Sequence, residues 1–252
     1  MLIVLLLFFS GIVSAFINTM AGGGSVINMA VLIFAGVPST VANGTNRVAI
    51  LLQNIVGVHQ FHNKHKKIKI RKYSVIPAVF GAVVGSVVGA KLPSAMFDKL
   101  FSVVLIGMLF VIFMPKKSQK INKGISPVLE VLIFVLVGLY GGMIQTGVGF
   151  LLLMTLNKIE NLDLVSANAY KLFIVLCYLP VSLFIFFLNG NVIFKYGIPL
   201  GLGSMIGAYI SSNLAIKKGA GVVKVVLLIA IMISLFKLHG GFDWLAGVFT
   251  KE

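Results

Sequence analysis

The chain is short of the residues on which soluble enzymes and metalloproteins depend. Among 252 residues there is one cysteine, Cys177, which excludes a disulfide framework and a multi-cysteine metal or iron–sulfur site. Asp and Glu total 6, and charged residues make up 11% of the chain, against about 25% in a soluble globular domain. So few acids supply no carboxylate pair or His-containing triad for intramembrane hydrolysis. The four histidines, His59, His62, His65 and His239, show no ligand spacing such as His-Glu-x-x-His, so no metal site is expected. No Gly-x-x-x-x-Gly-Lys-Ser/Thr loop is present either, so an ATP-driven pump would need another subunit. No catalytic residue and no cofactor are expected, and the chain does not read as an enzyme.

Apolar residues are what it has, at 59% of the sequence. A membrane crossing needs about 20 of them, so the length allows roughly ten passes with little left for a soluble domain. Lys and Arg total 21, for a net charge of +15. On a soluble chain that excess points to nucleic acid; in a polytopic protein it points to cytoplasmic loops, and no nucleic-acid partner is expected here.

Apolar stretches cover residues 2–20, 25–37, 41–61, 74–90 and 95–114, then 128–145, 148–157, 164–188, 197–216 and 222–238. The first lacks the basic flank of a signal peptide and is taken as a membrane helix. The second stretch of each set is too short to span about 30 Å at 1.5 Å per residue, so each reads as a half-helix, either re-entrant or paired in crossing. The expected organisation is a first transmembrane repeat at 1–114, a basic linker at 115–125 and a second repeat at 126–252. Gly11 to Asn18-Thr19 matches Gly138 to Gln145-Thr146, Ala42-Asn43-Gly44-Thr45-Asn46 matches Ala167-Asn168-Ala169-Tyr170-Lys171, and Gly85-Ser86 to Gly89-Ala90 matches Gly203-Ser204 to Gly207-Ala208. Three blocks in the same order argue for an internal repeat, the alternative being small-residue packing motifs that arose separately.

Fourteen cations fall on one side of such a topology: Lys64, Lys66, Lys67, Lys69, Arg71, Lys72, Lys116, Lys117, Lys120, Lys123, Lys158, Lys217, Lys218 and Lys224. Five fall on the other: Lys91, Lys99, Lys195, Lys237 and Lys251. The richer side is cytoplasmic, which puts both termini outside. An odd number of segments per set inverts the second relative to the first. The fold expected is an all-α polytopic membrane protein of two inverted repeats, each of five segments with the second a half-helix, as in many secondary transporters.

Two cations remain, and both lie inside apolar segments. Arg47 follows Asn43-Gly44-Thr45-Asn46 and Lys171 follows Asn168-Ala169-Tyr170, with no acid at comparable depth to pair with them. A charge there costs several kcal/mol on insertion scales, so a bound anion is the expected partner; snorkelling to an interface is the alternative. Between the first two segments runs Asn18-Thr19-Met20-Ala21-Gly22-Gly23-Gly24-Ser25, and between their counterparts Gln145-Thr146-Gly147-Val148-Gly149. Such glycine runs unravel a helix and expose N–H groups at the start of the next one, where an anion is favoured. The alternative is a close helix crossing. Asn18, Thr19, Gly22, Gly23, Gly24, Ser25, Asn43, Thr45, Asn46, Arg47, Gln145, Thr146, Gly147, Gly149, Asn168, Tyr170 and Lys171 are the candidate substrate-binding residues. Asn28, Gln53 and Asn54 are further polar groups, the last two equally suited to bridging helices.

Gly22-Gly23-Gly24 after a first helix, Gly36-Val37-Pro38 before Ala42-Asn43-Gly44-Thr45-Asn46, and Gly85-Ser86-Val87-Val88-Gly89-Ala90 resemble the TauE/SafE family, called sulfite exporters. The resemblance covers essentially the whole chain. It implies a secondary permease of the bacterial inner membrane for sulfur-containing anions such as sulfite, thiosulfate or organosulfonates. The second half departs from the family pattern, with Thr146-Gly147-Val148-Gly149 for a triple glycine and Ala169-Tyr170-Lys171 at the Gly-Thr position. The expected partners are a small anionic substrate, membrane lipids at the basic loops and a second copy of the chain. An anion channel or an accessory subunit of a larger complex is the competing function.

Overall fold

The computed structural model describes residues 2–64, 72–113, 126–160, 162–213 and 220–240. The linker at 115–125 and the loop cations Lys66, Lys67, Lys69, Arg71, Lys116, Lys117, Lys120, Lys123, Lys217, Lys218 and Lys251 lie outside the described residues. Within them the chain forms ten helices: α1 Leu2–Ala21, α2 Ser25–Phe34, α3 Ser39–Lys64, α4 Lys72–Lys91, α5 Ser94–Phe113, α6 Pro127–Met143, α7 Val148–Ile159, α8 Leu164–Leu188, α9 Phe194–Asn213 and α10 Ala220–Leu238. Each of the ten apolar stretches contributes one helix, and no strand occurs among the described residues.

The starts and stops have local causes. α2 and α7 are short, 10 and 12 residues, or about 15 and 18 Å at 1.5 Å per residue. Each follows a glycine, Gly24 or Gly147, that ends the preceding break. The side chain of Asp163 caps α8 by accepting from the backbone N–H of Val165 at 2.9 Å and of Ser166 at 3.1 Å. Leu2–Met20, Tyr73–Lys91 and Val165–Leu188 are long and apolar enough to cross a membrane by themselves. Large apolar side chains lie on the outside, including Phe80, Phe110, Leu136 and Phe184. On a water-soluble domain so much exposed apolar surface would drive association.

The tightest pairings join the two halves of the chain, α4 on α6 and α1 on α9. Small residues make both possible. On α4, Gly81, Gly85 and Gly89 face the backbone of Val135, Leu139 and Met143, while Gly138 and Gly142 of α6 face Ala78 and Ala82. On α9, Gly203 and Gly207 face the backbone of Phe8 and Ile12, and Gly11 of α1 faces Leu200. With Gly85 matched to Gly203, Ala82 falls on Leu200, so Gly142 takes the place of Gly11. That is one turn beyond the Gly138 suggested by sequence, because small residues four apart fit the same contact in either register.

The buried apolar side chains form two clusters. One draws on α1, α2, α3, α5, α9 and α10, with Leu7, Met29, Phe97, Phe101 and Leu200 at its heart. The other draws on α4, α6, α7 and α8, with Ile50 of α3, around Phe134, Leu152, Tyr170, Tyr178 and Leu179. Each contains helices from both halves.

A leucine at Gly85 would drive its Cβ into the Leu139 carbonyl, whereas Gly107 of α5 is exposed with nothing within 4 Å. Overpacking of this kind costs about 1–3 kcal/mol or more. Gly85→Leu is therefore expected to lower the melting temperature in detergent or abolish the monodisperse peak, and Gly107→Leu to leave both unchanged; equal behaviour of the two would contradict the packing.

Candidate functional site

α1 and α6 both stop inside the protein, where last-turn carbonyls run short of helical partners, the Asn18 carbonyl keeping the Gly22 N–H at 3.0 Å. Side chains from the other half of the chain fill them. From α8, Lys171 Nζ donates to the carbonyls of Asn18 at 2.9 Å and Thr19 at 3.5 Å and to Asn168 Oδ1 at 2.8 Å. Asn168 Nδ2 in turn donates to the Met20 carbonyl at 3.2 Å. From α3, Arg47 Nη2 donates to the Gly142 carbonyl at 2.6 Å, and Asn43 Nδ2 to the Met143 carbonyl at 2.8 Å. The two breaks are thus held in the same way, each by an asparagine and a cation one turn apart.

Arg47 is fully buried. Its Nη1 also donates to Ser182 Oγ and, at 3.4 Å, to Gln145 Oε1, and its guanidinium carbon lies 4.0 Å from the centre of the Phe186 ring. A planar fork with five donors suits this arrangement better than a point charge does. Gln145 accepts as well from the Tyr178 hydroxyl at 3.1 Å and carries φ 64°, a conformation that a residue with a side chain rarely adopts. Its neighbour Gly147 has φ 81° and begins α7.

The first break is shaped by Gly22, whose φ of 81° and close approach to the backbone of Gly149 leave no room for a Cβ. Gly23 lies under the Phe150 ring, and its N–H donates to Asn18 Oδ1 at 3.1 Å. Gly24 packs on Ser14 and Asn18, and its carbonyl accepts from the Ser14 hydroxyl at 2.8 Å. The two breaks therefore abut.

A small cavity lies where they meet, lined by Asn18, Ser25, Ile50, Asn54, Gln145, Val148, Gly149, Lys171, Leu172 and Val175. Its volume is about 10 Å³, room for about one water. Ser25 is the first residue of α2, and Val148 and Gly149 are the first two of α7, so both half-helices begin at this cavity. Lys171 is the one charged residue in the lining. Asn54 is buried with neither amide atom paired, a state that costs free energy unless a ligand or water completes it.

Of the candidates from sequence, Asn18, Ser25, Gln145, Gly149 and Lys171 line the cavity, while Gly22, Gly23, Gly24, Gly147, Asn43, Asn168 and Arg47 build the breaks around it. The Thr19 and Thr146 hydroxyls are buried without partners beside the breaks. Asn46 accepts from Asn28 Nδ2 at 3.0 Å, between α2 and α3. Thr45 accepts from the Ile193 N–H at 3.0 Å, and Tyr170 belongs to the second apolar cluster, so neither lines the cavity. Asn54 is the site residue that sequence undervalued. Its signal is periodicity: Asn43, Arg47, Ile50 and Asn54 fall on one helical face.

The family model described as sulfite exporter TauE/SafE matches residues 7–238. The chain belongs to the TauE/SafE family. A probable membrane transporter protein, ORF9, of Sinorhizobium sp is 23% identical over 227 residues, covering 88% of this chain and 87% of its own length. A probable membrane transporter protein of Haemophilus influenzae is 24% identical over 245 residues, covering 95% of each chain. The probable membrane transporter protein YfcA of Escherichia coli K12 is 23% identical over 242 residues, covering 93% of this chain and 90% of its own. No solved structure gives a significant match. With its apolar helices, this TauE/SafE chain is a membrane transporter by family.

Removing the Arg47 side chain would leave the Gly142 carbonyl without that donor and Ser182 with Ser86 alone, at about 1–3 kcal/mol for an unsatisfied buried group. Arg47→Ala is expected to melt well below wild type in detergent, with Arg47→Lys between them because one ammonium cannot reach the guanidinium's three acceptors together. An unchanged melting temperature in both variants would remove Arg47 from the framework of the break.

Proposed function

We propose that the chain is a secondary transporter for small oxyanions, with sulfur-containing ones such as sulfite, thiosulfate and organosulfonates as the class suggested by its family. The observation that carries this reading is the composition of the cavity: two half-helix starts, the Lys171 ammonium and the unpartnered Asn54 amide meet there. Helix starts present N–H groups and the positive end of the dipole. Amide and hydroxyl donors match the several oxygens of an oxyanion, and the ammonium supplies the opposite charge. The lining contains no acid that would oppose an anion.

The substrate site lies near the midplane, between inverted repeats, and both termini face the outside of a bacterial inner membrane. Support for the repeat comes from the pairings, since α1 on α9 and α4 on α6 exchange when the first five helices are swapped with the last five. The transport cycle is alternating access. The bodies that rock in it are the two apolar clusters rather than the two repeats, because the glycine-lined α1–α9 and α4–α6 contacts tie helices of opposite repeats together. The small, roughly water-sized cavity favours a carrier over an open channel.

The test is binding to the purified protein. Sulfite and thiosulfate are expected to bind and carboxylates of similar size to bind more weakly; Lys171→Ala and Asn54→Ala are expected to weaken affinity tenfold or more and about fivefold, respectively, because a lost unit charge is worth more than a lost neutral hydrogen bond. Reconstituted flux should saturate and accelerate with substrate on the far side. Unsaturable conductance, or affinity indifferent to both substitutions, would refute the reading.

A further inference from the structure

The ends of the broken helices α1 and α6 are natural seats for cations. Their last carbonyls run short of N–H partners, although that of Asn18 keeps the Gly22 N–H at 3.0 Å, and they carry the negative end of the helix dipole; in transporters with broken helices such carbonyls hold the coupling Na⁺ or proton. In this protein both seats are already filled from within the chain. The Lys171 ammonium has three N–H donors and meets three oxygens, the carbonyls of Asn18 and Thr19 and Oδ1 of Asn168. The Arg47 guanidinium meets the Gly142 carbonyl, Ser182 Oγ and Gln145 Oε1.

We propose that Lys171 and Arg47 are tethered substitutes for coupling metal cations, so that anion binding and transport need no Na⁺ or other free metal cation. The inference rests on the anion-site reading and adds the identity of the positive charge that accompanies the substrate. Lys171 is the member that meets the substrate, since it alone of the two lines the cavity while also capping α1. Arg47 acts one step away, as a positioning residue, through Gln145. Among the described residues no carboxylate is hydrogen-bonded to either cation. A metal ion entering either seat would face the resident charge with no acid there to offset it.

The experiment compares binding and uptake of sulfite and thiosulfate by the full-length protein in lipid vesicles bathed in sodium, potassium or choline salts. Affinity and initial rate are expected to change less than twofold among the three; a tenfold loss when choline replaces sodium overturns the inference. Lys171→Ala empties the first seat, and millimolar methylammonium is expected to restore at least a third of the lost affinity, whereas tetramethylammonium, which has no N–H donor, restores none. A folded Lys171→Ala protein that no methylammonium concentration improves also overturns it. If that variant does not fold, the salt comparison on the wild-type protein decides alone. Binding that strictly requires sodium defeats this inference and leaves the anion site standing, while absence of binding in every salt defeats both.

Discussion

The structure depends on closing two helix breaks inside the protein. An unsatisfied backbone carbonyl costs about 1–3 kcal/mol in a protein interior, and no water is at hand in the hydrocarbon region to complete it. A chain that interrupts α1 and α6 at depth must therefore bring donors to both ends. It does so reciprocally: Asn168 and Lys171 of the second half close the break in the first, and Asn43 and Arg47 of the first half close the break in the second. Neither half completes its own break. Once closed, the breaks abut at Gly22 and Gly149, and the starts of α2 and α7 are brought to one cavity.

The same bonds divide the interior. Two apolar clusters are bridged by polar contacts that run from α1 to α8 and from α3 to α6 and α8. Glycine-lined backbone contacts hold α1 to α9 and α4 to α6 closely, and packing that close changes by discrete steps rather than by gradual deformation. Hydrogen bonds across a polar layer exchange partners at less cost.

The ten segments were legible because each is an apolar run bounded by polar or glycine residues, and the half-helices because their lengths fall short of a bilayer. Arg47 and Lys171 stood out because a membrane makes unpaired charge costly. Their hydrogen-bond partners were not legible. Which oxygen a buried cation finds is set by tertiary contact, here with carbonyls 95 and 153 residues away in sequence. Proximity along the chain misled for Thr45 and Tyr170, which sit beside Asn46 and Lys171 yet point to other neighbours. Asn54 shows the converse, for it lies two turns past Arg47 and reaches the cavity by helical periodicity alone. The choice between Gly138 and Gly142 as the counterpart of Gly11 has a similar origin, since glycines spaced by four leave the register to be chosen by the facing helix.

Charge makes the last connection between framework and site. Two unit charges 4 Å apart interact by about 4 kcal/mol at an effective dielectric constant near 20, which corresponds to roughly a thousandfold in an equilibrium. Beside Lys171 that quantity favours an anion and opposes a further cation by the same amount. The carbonyls of Asn18 and Thr19 hold the ammonium in place but carry no net charge, so they orient it without neutralising it. An incoming anion therefore meets a positive charge that is fixed, largely stripped of water and uncompensated. The residue that closes the first helix break is, for that reason, the one on which the proposed anion site depends most.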